Sequence, residues 1–292
     1  MSEPARAAEI RRILVALDAS PHSLPLLKVA AELASRMEAE LLGLFVEDIE
    51  LLHLADSPYA REILYPSTTQ TPLSRATMEL KLRTLSEIAR KALAAAASRA
   101  QVQWSFRTVR GEILPAVLAA AGEADLLAIS EAGGPLGRQR RVASAALELA
   151  AGAAPVLVIP ARGIAPGARV AVYFDGSPGS RLGLLVSARM AAATQDGITV
   201  LLGAADAESA AARKEEAARL LEGENLKTRY RVLKPEDTTA LVRTLRAERP
   251  GLFILGGLEP RKKQQWAELL LRDTTMALLL LDNSEQSPPE SE

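Results

Sequence analysis

The sequence predicts an α/β protein that contains two tandem open sheets, each with five parallel strands and with helices on both faces. Two observations lead to this fold class. Short apolar runs alternate with amphipathic helical stretches along most of the 292 residues, which is typical of parallel sheets connected by helices. In addition, the motif Asp-Ala-Ser-Pro-His-Ser that begins at Asp18 recurs as Asp-Gly-Ser-Pro-Gly-Ser at Asp175. The same structural unit is therefore expected twice.

The first half of the chain contains five apolar runs that predict strands. The first run ends at Asp18, and Ser23 is placed to cap the helix that follows, with Pro25 in its first turn. The apolar side chains of that helix recur every three or four residues, as in a helix that packs on a sheet. The predicted strands are 11–18, 39–46, 102–110, 126–129 and 155–160, and the predicted helices are 23–37, 77–100, 112–121 and a stretch that begins at Ser144.

Residues 47–76 interrupt the alternation and predict an insertion. The segment holds three prolines and a series of apolar side chains between 51 and 64. The apolar content predicts that most of the insertion packs on the protein, with a flexible part near 66–72. An apolar insertion is also a candidate surface for a protein partner.

The second half repeats the order of the first without the insertion. The predicted domains are 10–160, which includes the insertion, and 168–282. Residues 161–167 are the predicted linker, and 283–292 are predicted to be a disordered tail. The strands expected in the second domain are 169–174, 198–203, 226–232, 252–255 and 276–281, and its helices are 182–193, 208–222, 238–248 and 261–271.

A glycine-rich loop between the fourth strand and the next helix is the candidate binding site of the first domain. It runs from Ser130 to Ser144. The backbone N–H groups of such a loop, together with the partial positive charge of a helix N-terminus, favour an anion. Arg138, Arg140 and Arg141 lie on the loop and can offset the charge of a phosphate. The alternative is a basic loop that only contacts solvent.

The repeated Asp motif, the apolar run 126–129 and the closing strand 155–160 together resemble the universal stress protein family in a tandem form. The resemblance implies a Rossmann-like (adenine-nucleotide alpha-hydrolase-like) fold, with pairing through the last strand. Nucleotide-binding members of that family carry Gly-x-x-Gly, nine further residues, and then Gly-Ser or Gly-Thr. The corresponding positions here are Ser130, Gly133, Ala143 and Ser144. The spacing and the final serine are kept, whereas the first and third glycines are replaced.

The resemblance implies that ATP or a related adenine nucleotide binds in the first domain, between Asp18 and the glycine-rich loop. With the strand order 3-2-1-4-5 that the family implies, Asp18 and Ser130 lie across the crevice where open sheets bind ligands. Asp18 would contact the ribose or a metal, and the alternative is an acid that stabilises the turn into the helix. Mg²⁺ is expected only together with the nucleotide.

The second copy departs further from the family pattern. After its fourth strand it reads Gly256-Gly257-Leu258-Glu259, with an acid in place of the second glycine and no matching Gly-Ser. A glutamate at this position repels phosphate. The second site, with Asp175, Gly256 and Gly257, is therefore predicted to be degenerate.

The composition excludes several classes of protein. The chain has no cysteine and two histidines, so it cannot form disulfides, thiolate metal sites or a cysteine nucleophile. A net charge of −1 and an aromatic content of 3% give no basis for nucleic-acid binding. No apolar run reaches the ~20 residues of a membrane span, and residues 1–10 lack the apolar core of a signal peptide. We therefore expect a cytoplasmic protein without nucleic-acid or membrane partners.

Three functions are compatible with these patterns. The first is a nucleotide-responsive stress protein without catalytic turnover, whose two domains pair through 155–159 and 276–281 in antiparallel orientation. The second is a nucleotide-free interaction module that engages a protein partner through 47–76. The third is a weak ATPase, for which Asp18 with Mg²⁺ is the only candidate apparatus. A second copy of the chain is a further candidate partner, as a homodimer.

Overall fold

The computed structural model describes residues 10–18, 20, 23–64, 69–131, 142–152, 154–164, 169–192, 197–273 and 276–281. These residues form twelve strands and nine helices. The strands are β1 (Arg12–Leu17), β2 (Glu40–Asp48), β3 (Arg61–Leu64), β4 (Thr69–Pro72), β5 (Trp104–Gly111), β6 (Leu126–Ser130), β7 (Val156–Ile159), β8 (Val170–Phe174), β9 (Ile198–Gly203), β10 (Thr228–Leu233), β11 (Leu252–Leu255) and β12 (Ala277–Leu280). The helices are α1 (Ser23–Met37), α2 (Ile49–Ala55), α3 (Arg75–Ala100), α4 (Ile113–Ala121), α5 (Val142–Gly152), α6 (Pro178–Ala192), α7 (Ala207–Leu220), α8 (Thr238–Glu248) and α9 (Pro260–Asp273).

Ten of these strands form one continuous sheet in the order β10-β9-β8-β11-β12-β7-β6-β1-β2-β5. Each half of the sheet comes from one half of the chain, and the strand pairs within a half are parallel. The predicted α/β fold class is confirmed. The pairing expected between 155–159 and 276–281 joins the two predicted five-stranded sheets edge to edge into a single sheet.

The junction between the two halves is formed by β7 and β12, which run antiparallel. The paired residues are Val158 with Leu278, Leu157 with Leu279, and Val156 with Leu280. All six side chains are at most 1% exposed. The junction therefore covers an edge of each half that would otherwise present unpaired backbone groups.

The central strands are buried on both faces because helices cover the sheet on each side. In β1, Val15 and Leu17 pack into one apolar cluster, whereas Leu14 and Ala16 pack into the other. Continuous apolar runs are typical of strands in this position. The outermost strands, β5 and β10, are only partly buried, which explains the mixture of polar and apolar residues in their sequences.

The predicted insertion contains α2 and a hairpin in which β3 pairs antiparallel with β4. The side chain of Asp48 caps α2 by accepting a hydrogen bond from the backbone N–H of Glu50 at 2.9 Å. The prediction of a flexible part over 66–72 is corrected for 69–72, which form β4 because its threonines favour extended structure. Residues 65–68 lie outside the described ranges.

Salt bridges connect the insertion to the sheet and to α3. Arg110 of β5 contacts Glu47 of β2 at 2.8 Å and Glu79 of α3 at 3.4 Å. Arg75 then contacts Asp56 at 2.6 Å and Glu79 at 3.5 Å. This chain of charges links the carboxyl ends of β2 and β5 to the end of α2.

One helix begins earlier than the sequence pattern predicts. The prediction begins the helix at 182, whereas α6 begins at Pro178, because proline is well accommodated in the first turn of a helix. The predicted tail at 283–292 and the end of the predicted linker, 165–167, lie outside the described residues.

Among the helices within the described ranges, none is both long enough and apolar enough to cross a membrane.

Candidate functional site

Asp18 and Ser130 lie at the same edge of the sheet, where the strand order reverses. Asp18 directly follows β1, and Ser130 is the last residue of β6. β1 pairs parallel with β6 on one side and with β2 on the other. The chain segments that follow β1 and β6 diverge at this point. Their divergence leaves a crevice outside the carboxyl ends of the strands. The structure therefore brings these two predicted site residues together.

The carboxylate of Asp18 organises the turn into α1. Its Oδ1 accepts a hydrogen bond from the Ser20 N–H at 2.9 Å and another from the Ser23 hydroxyl at 2.8 Å. These bonds agree with the interpretation of Asp18 as a turn-stabilising acid. They do not exclude a ligand contact, because a carboxylate offers about four acceptor positions on its two oxygens.

An acid that the sequence analysis did not consider lies beside Ser130. The backbone N–H of Glu131 donates to the carbonyl oxygen of Ile159 at 2.8 Å, which fixes Glu131 at the end of β7. Burial raises the pKa of the Glu131 carboxyl, and the positive charge of Arg162 acts in the opposite direction. A carboxylate here weakens the attraction of the crevice for phosphate, so an anion would depend on positive groups from the glycine-rich loop.

The other predicted site residues lie on the glycine-rich loop and on the helix after it. Ala143 and Ser144 are in the first turn of α5, so the chain passes from β6 through the loop to a helix N-terminus, as the motif requires. The loop residues Gly133, Arg138, Arg140 and Arg141 lie outside the described residues. Their roles stay predictions.

Asp175 occupies the position in the second half that Asp18 occupies in the first. Its Oδ1 accepts a hydrogen bond from the Ser177 N–H at 3.0 Å, and its Oδ2 accepts one from the Leu258 N–H at 3.1 Å. Burial acts to raise the pKa of Asp175, but hydrogen bonds from Ser177, Leu258 and Ser180 outweigh it and hold that pKa below its ordinary value. The carboxylate thus holds the loop that follows β11.

That loop packs directly on the start of α6. A Cβ at Gly256 would collide with the backbone of Gly179. Gly257 has a φ of +74°, and a Cβ there would lie 2.7 and 2.9 Å from the two carboxylate oxygens of Asp175. The Asp175 carboxylate thus occupies the space beside Gly257, and the degeneration of the second site stays a prediction.

A cleft of about 450 Å³ lies beside Asp175 and was not predicted from the sequence. Tyr173, Arg213 and Lys262 contribute to its walls. Burial is the main reason that the pKa of the Tyr173 hydroxyl lies far above its ordinary value, so the phenol stays neutral. The signal in the sequence was a tyrosine, the one residue with a polar side-chain atom in an otherwise apolar strand. In the described part of the chain, no group of three or more His, Asp or Glu side chains is placed to hold a metal ion.

Comparison with solved structures shows that the fold extends over nearly the whole chain. The crystal structure of a universal stress protein from Archaeoglobus fulgidus DSM 4304 is 13% identical, with a TM-score of 0.65, and the match covers 96% of this chain and 99% of that chain. The crystal structure of a functionally unknown protein from Pseudomonas aeruginosa PAO1 is 15% identical, with a TM-score of 0.57 and coverage of 95% and 94%. At these identities the likeness establishes the fold.

Family membership rests on the sequence itself. Among curated protein sequences, none matches this chain significantly. Residues 9–160, just over half of the chain, match the model of the universal stress protein family. The matched region contains β1, β6, β7 and the crevice between Asp18 and Ser130. The chain therefore belongs to the universal stress protein family.

Proposed function

We propose that this protein acts in the stress response in the cytoplasm by binding ATP or a related adenine nucleotide in the first half of the chain. The observation that carries the proposal is the crevice between β1 and β6. Asp18 and Ser130 lie side by side there, and the chain continues from Ser130 to the N-terminus of α5. A crevice at a reversal of strand order, followed by a helix N-terminus, favours a phosphorylated ligand.

The proposed roles follow from the chemistry of each group. Asp18 accepts a hydrogen bond from a ribose hydroxyl or coordinates Mg²⁺ that arrives with the nucleotide. The backbone of the glycine-rich loop around Gly133, the first turn of α5 at Ala143 and Ser144, and the guanidinium of Arg138 bind phosphate. The second half supports the first through the junction of β7 and β12. Turnover is not part of the proposal.

Calorimetric titration of the full chain with ATP, ADP and AMP at millimolar concentrations tests this proposal. We expect binding heat with at least one nucleotide and a loss of affinity of about tenfold or more in Asp18→Asn, because a charge-assisted hydrogen bond is removed. Asparagine retains an acceptor for the Ser20 N–H, so the turn is preserved. The matched control is Asp175→Asn, which should leave nucleotide affinity unchanged. Absence of heat with all three nucleotides contradicts the proposal.

Release of phosphate from ATP is measured in the same samples. Hydrolysis that depends on Asp18 would extend the proposal to a weak ATPase. Hydrolysis that persists unchanged in Asp18→Asn would identify a contaminating enzyme.

A second candidate function is an interaction module, and the exposed apolar side chains of the insertion favour it. Tyr59 is 88% exposed and Leu54 is 54% exposed. Deletion of 47–76 is not a suitable test, because Leu52 of α2 is fully buried and Glu47 belongs to β2. The double variant Leu54→Ser/Tyr59→Ser removes the exposed groups alone. If the insertion is the binding surface, this variant loses a partner that the wild type captures, with an unchanged melting temperature.

A further inference from the structure

The cleft in the second half lies at the carboxyl end of the sheet and is separate from the crevice at Asp18. Tyr173 and Asp175 come from β8 and the turn after it, and Pro235 follows β10. Arg213 of α7 and Lys262 of α9 add two positive charges to its walls. Its volume of about 450 Å³ is in the range of sites that bind small organic molecules.

Tyr173, one of the residues that line the cleft, carries a hydroxyl group without a hydrogen-bond partner among the described residues. Tyr173 is fully buried, and its Oη bonds to no other described residue. The ring is held from behind by an edge-to-face contact with Trp266 at 5.2 Å between centroids. The hydroxyl lies over Gly203, where any side chain would collide with it. A buried hydroxyl without a partner costs free energy, so a ligand that bonds to it is stabilised.

Two observations indicate that this hydroxyl faces the cleft. Tyr173 is itself one of the lining residues. The charges of Asp175 and Glu236 raise the pKa of the Tyr173 hydroxyl, in addition to the larger effect of burial, and the charge of Arg213 lowers it. Asp175 and Arg213 line the same cleft, so the oxygen is within electrostatic reach of its walls.

Arg213 supplies a positive group whose charge lowers the pKa of Asp206, in addition to the larger effect of hydrogen bonds. It forms no hydrogen bond or salt bridge with any described residue. Three other cations of this region have partners: Lys262 pairs with Glu236 at 3.3 Å, Arg219 pairs with Glu215 at 3.2 Å, and Lys214 lies over the ring of Tyr230. The planar guanidinium of Arg213 has the geometry to bind a carboxylate through two parallel hydrogen bonds.

The charged side chains that line the cleft favour a ligand with only one negative group. Glu259 and Asp175 line the cleft beside Arg213 and Lys262. A polyphosphate would bring several negative charges against these two carboxylates. A ligand with one carboxylate instead adds a single negative charge and places it at Arg213.

We propose that this cleft binds a small hydroxycarboxylate, with the carboxylate on the guanidinium of Arg213 and the hydroxyl group hydrogen-bonded to Tyr173. The two protein groups provide two different contacts, so the site selects for an acid that carries a hydroxyl group. The proposal is independent of nucleotide binding in the first half, since the two sites share no residue.

Titration calorimetry of the full chain with lactate tests the proposal, with acetate and inorganic phosphate as comparison ligands. We expect lactate to bind at millimolar concentration, acetate to bind several-fold more weakly and phosphate not to bind. Arg213→Gln should weaken lactate binding by about tenfold or more. Arg219→Gln is the matched control on the same helix and should change nothing.

Tyr173→Phe tests the second contact. The variant should lower the affinity for lactate to that for acetate, while the affinity for acetate stays the same. A fluorescence titration with Trp104→Phe, which leaves Trp266 against Tyr173 as the one remaining tryptophan, gives an independent measurement of the same binding.

Three results would overturn the proposal. The first is an absence of binding with lactate at tens of millimolar. The second is equal affinity for phosphate and lactate, which would describe a general anion site. The third is a ratio of lactate to acetate affinity that Tyr173→Phe leaves unchanged. Because Arg213 is partly exposed and forms no hydrogen bond or salt bridge with a described residue, Arg213→Gln remains informative even if Tyr173→Phe fails to fold.

Discussion

The two halves of the sheet have the same strand order and the same Asp motif, but the loops at their reversal points differ. In the second half, a Cβ at Gly256 would meet the backbone of α6, and a Cβ at Gly257 would meet the side chains of Ser177 and Asp175. The aligned residues of the first half are Ser130 and Glu131, which both carry side chains. The acid at the strand end is therefore present in both halves, whereas the residues that follow the fourth strand differ.

Among the substitutions that test this difference between the two halves, Gly257→Ala should change the free energy of unfolding most. The methyl group would meet the Asp175 carboxylate, and the backbone would be held at a φ of +74°. We expect a loss of about 3 kcal/mol in the free energy of unfolding, from overpacking and backbone strain together. Urea unfolding measures it.

Gly223→Ala is the control for the backbone component of that loss. Gly223 also has a positive φ, of +94°, but nothing lies within 4 Å of the position of a Cβ. Its substitution should cost about 1 kcal/mol. Equal losses in the two variants would mean that the loop after β11 is not tightly packed.

The next largest effect concerns the ligand. If the first half binds ATP, a concentration of about 100 Kd should increase the free energy of unfolding by about 2.7 kcal/mol. Thermal unfolding with and without ATP measures the increase. Asp18→Asn should remove most of it and Asp175→Asn should not. Equal protection of both variants would contradict the assignment of the site to the first half.

The next prediction concerns the acid at the strand end of the second half: the stability cost of Asp175→Asn should depend on pH. The pKa of Asp175 is lowered in the folded protein, so the carboxylate stabilises the fold above the unfolded pKa, near pH 4. That stabilisation is lost as the pH falls through the folded pKa. The variant should cost about 2 kcal/mol at pH 7 and progressively less at lower pH. A cost that does not vary between pH 7 and pH 3 would exclude a role for the charge.

The smallest effect is expected at Glu131, which aligns with Gly257. The pKa of Glu131 is raised by burial, so its charged form destabilises the fold as the pH rises through the folded pKa. Glu131→Gln should stabilise the protein by about 1 kcal/mol or less at pH 7, and the difference should vanish below about pH 4. The same variant should also bind ATP more tightly, because a negative charge beside the crevice is removed. Weaker binding would place Glu131 in contact with the ligand.

The strands and most helices could be predicted because their signals are local. The apolar run at β6 and the periodic apolar face of α1 depend on a few successive residues. The packing of Gly256 on Gly179 and the hydrogen bond from Leu258 to Asp175 could not be predicted in this way, since each joins segments distant in sequence. The pairing of β3 with β4 escaped prediction for a related reason, since proline and threonine between apolar residues also occur in irregular loops.

The candidate site was predicted unevenly. The sequence identified Asp18 and Ser130 as neighbours through the strand order that the family resemblance implies. Glu131 was missed because an acid after a strand carries no signal about its burial. Tyr173 was missed because the apolar pattern of a buried strand does not show whether a hydroxyl group in that strand finds a hydrogen-bond partner.

The antiparallel junction of β7 and β12 has a geometric consequence. Because strands within each half are parallel, the carboxyl ends of the first half and those of the second half point in opposite directions along the sheet. The crevice at Asp18 and the cleft at Tyr173 therefore open on opposite edges of the molecule. A partner that covers one edge leaves the other accessible, and the junction of β7 with β12 and the contacts of α5 with α9 and of α1 with α6 are connections through which one ligand could influence the other.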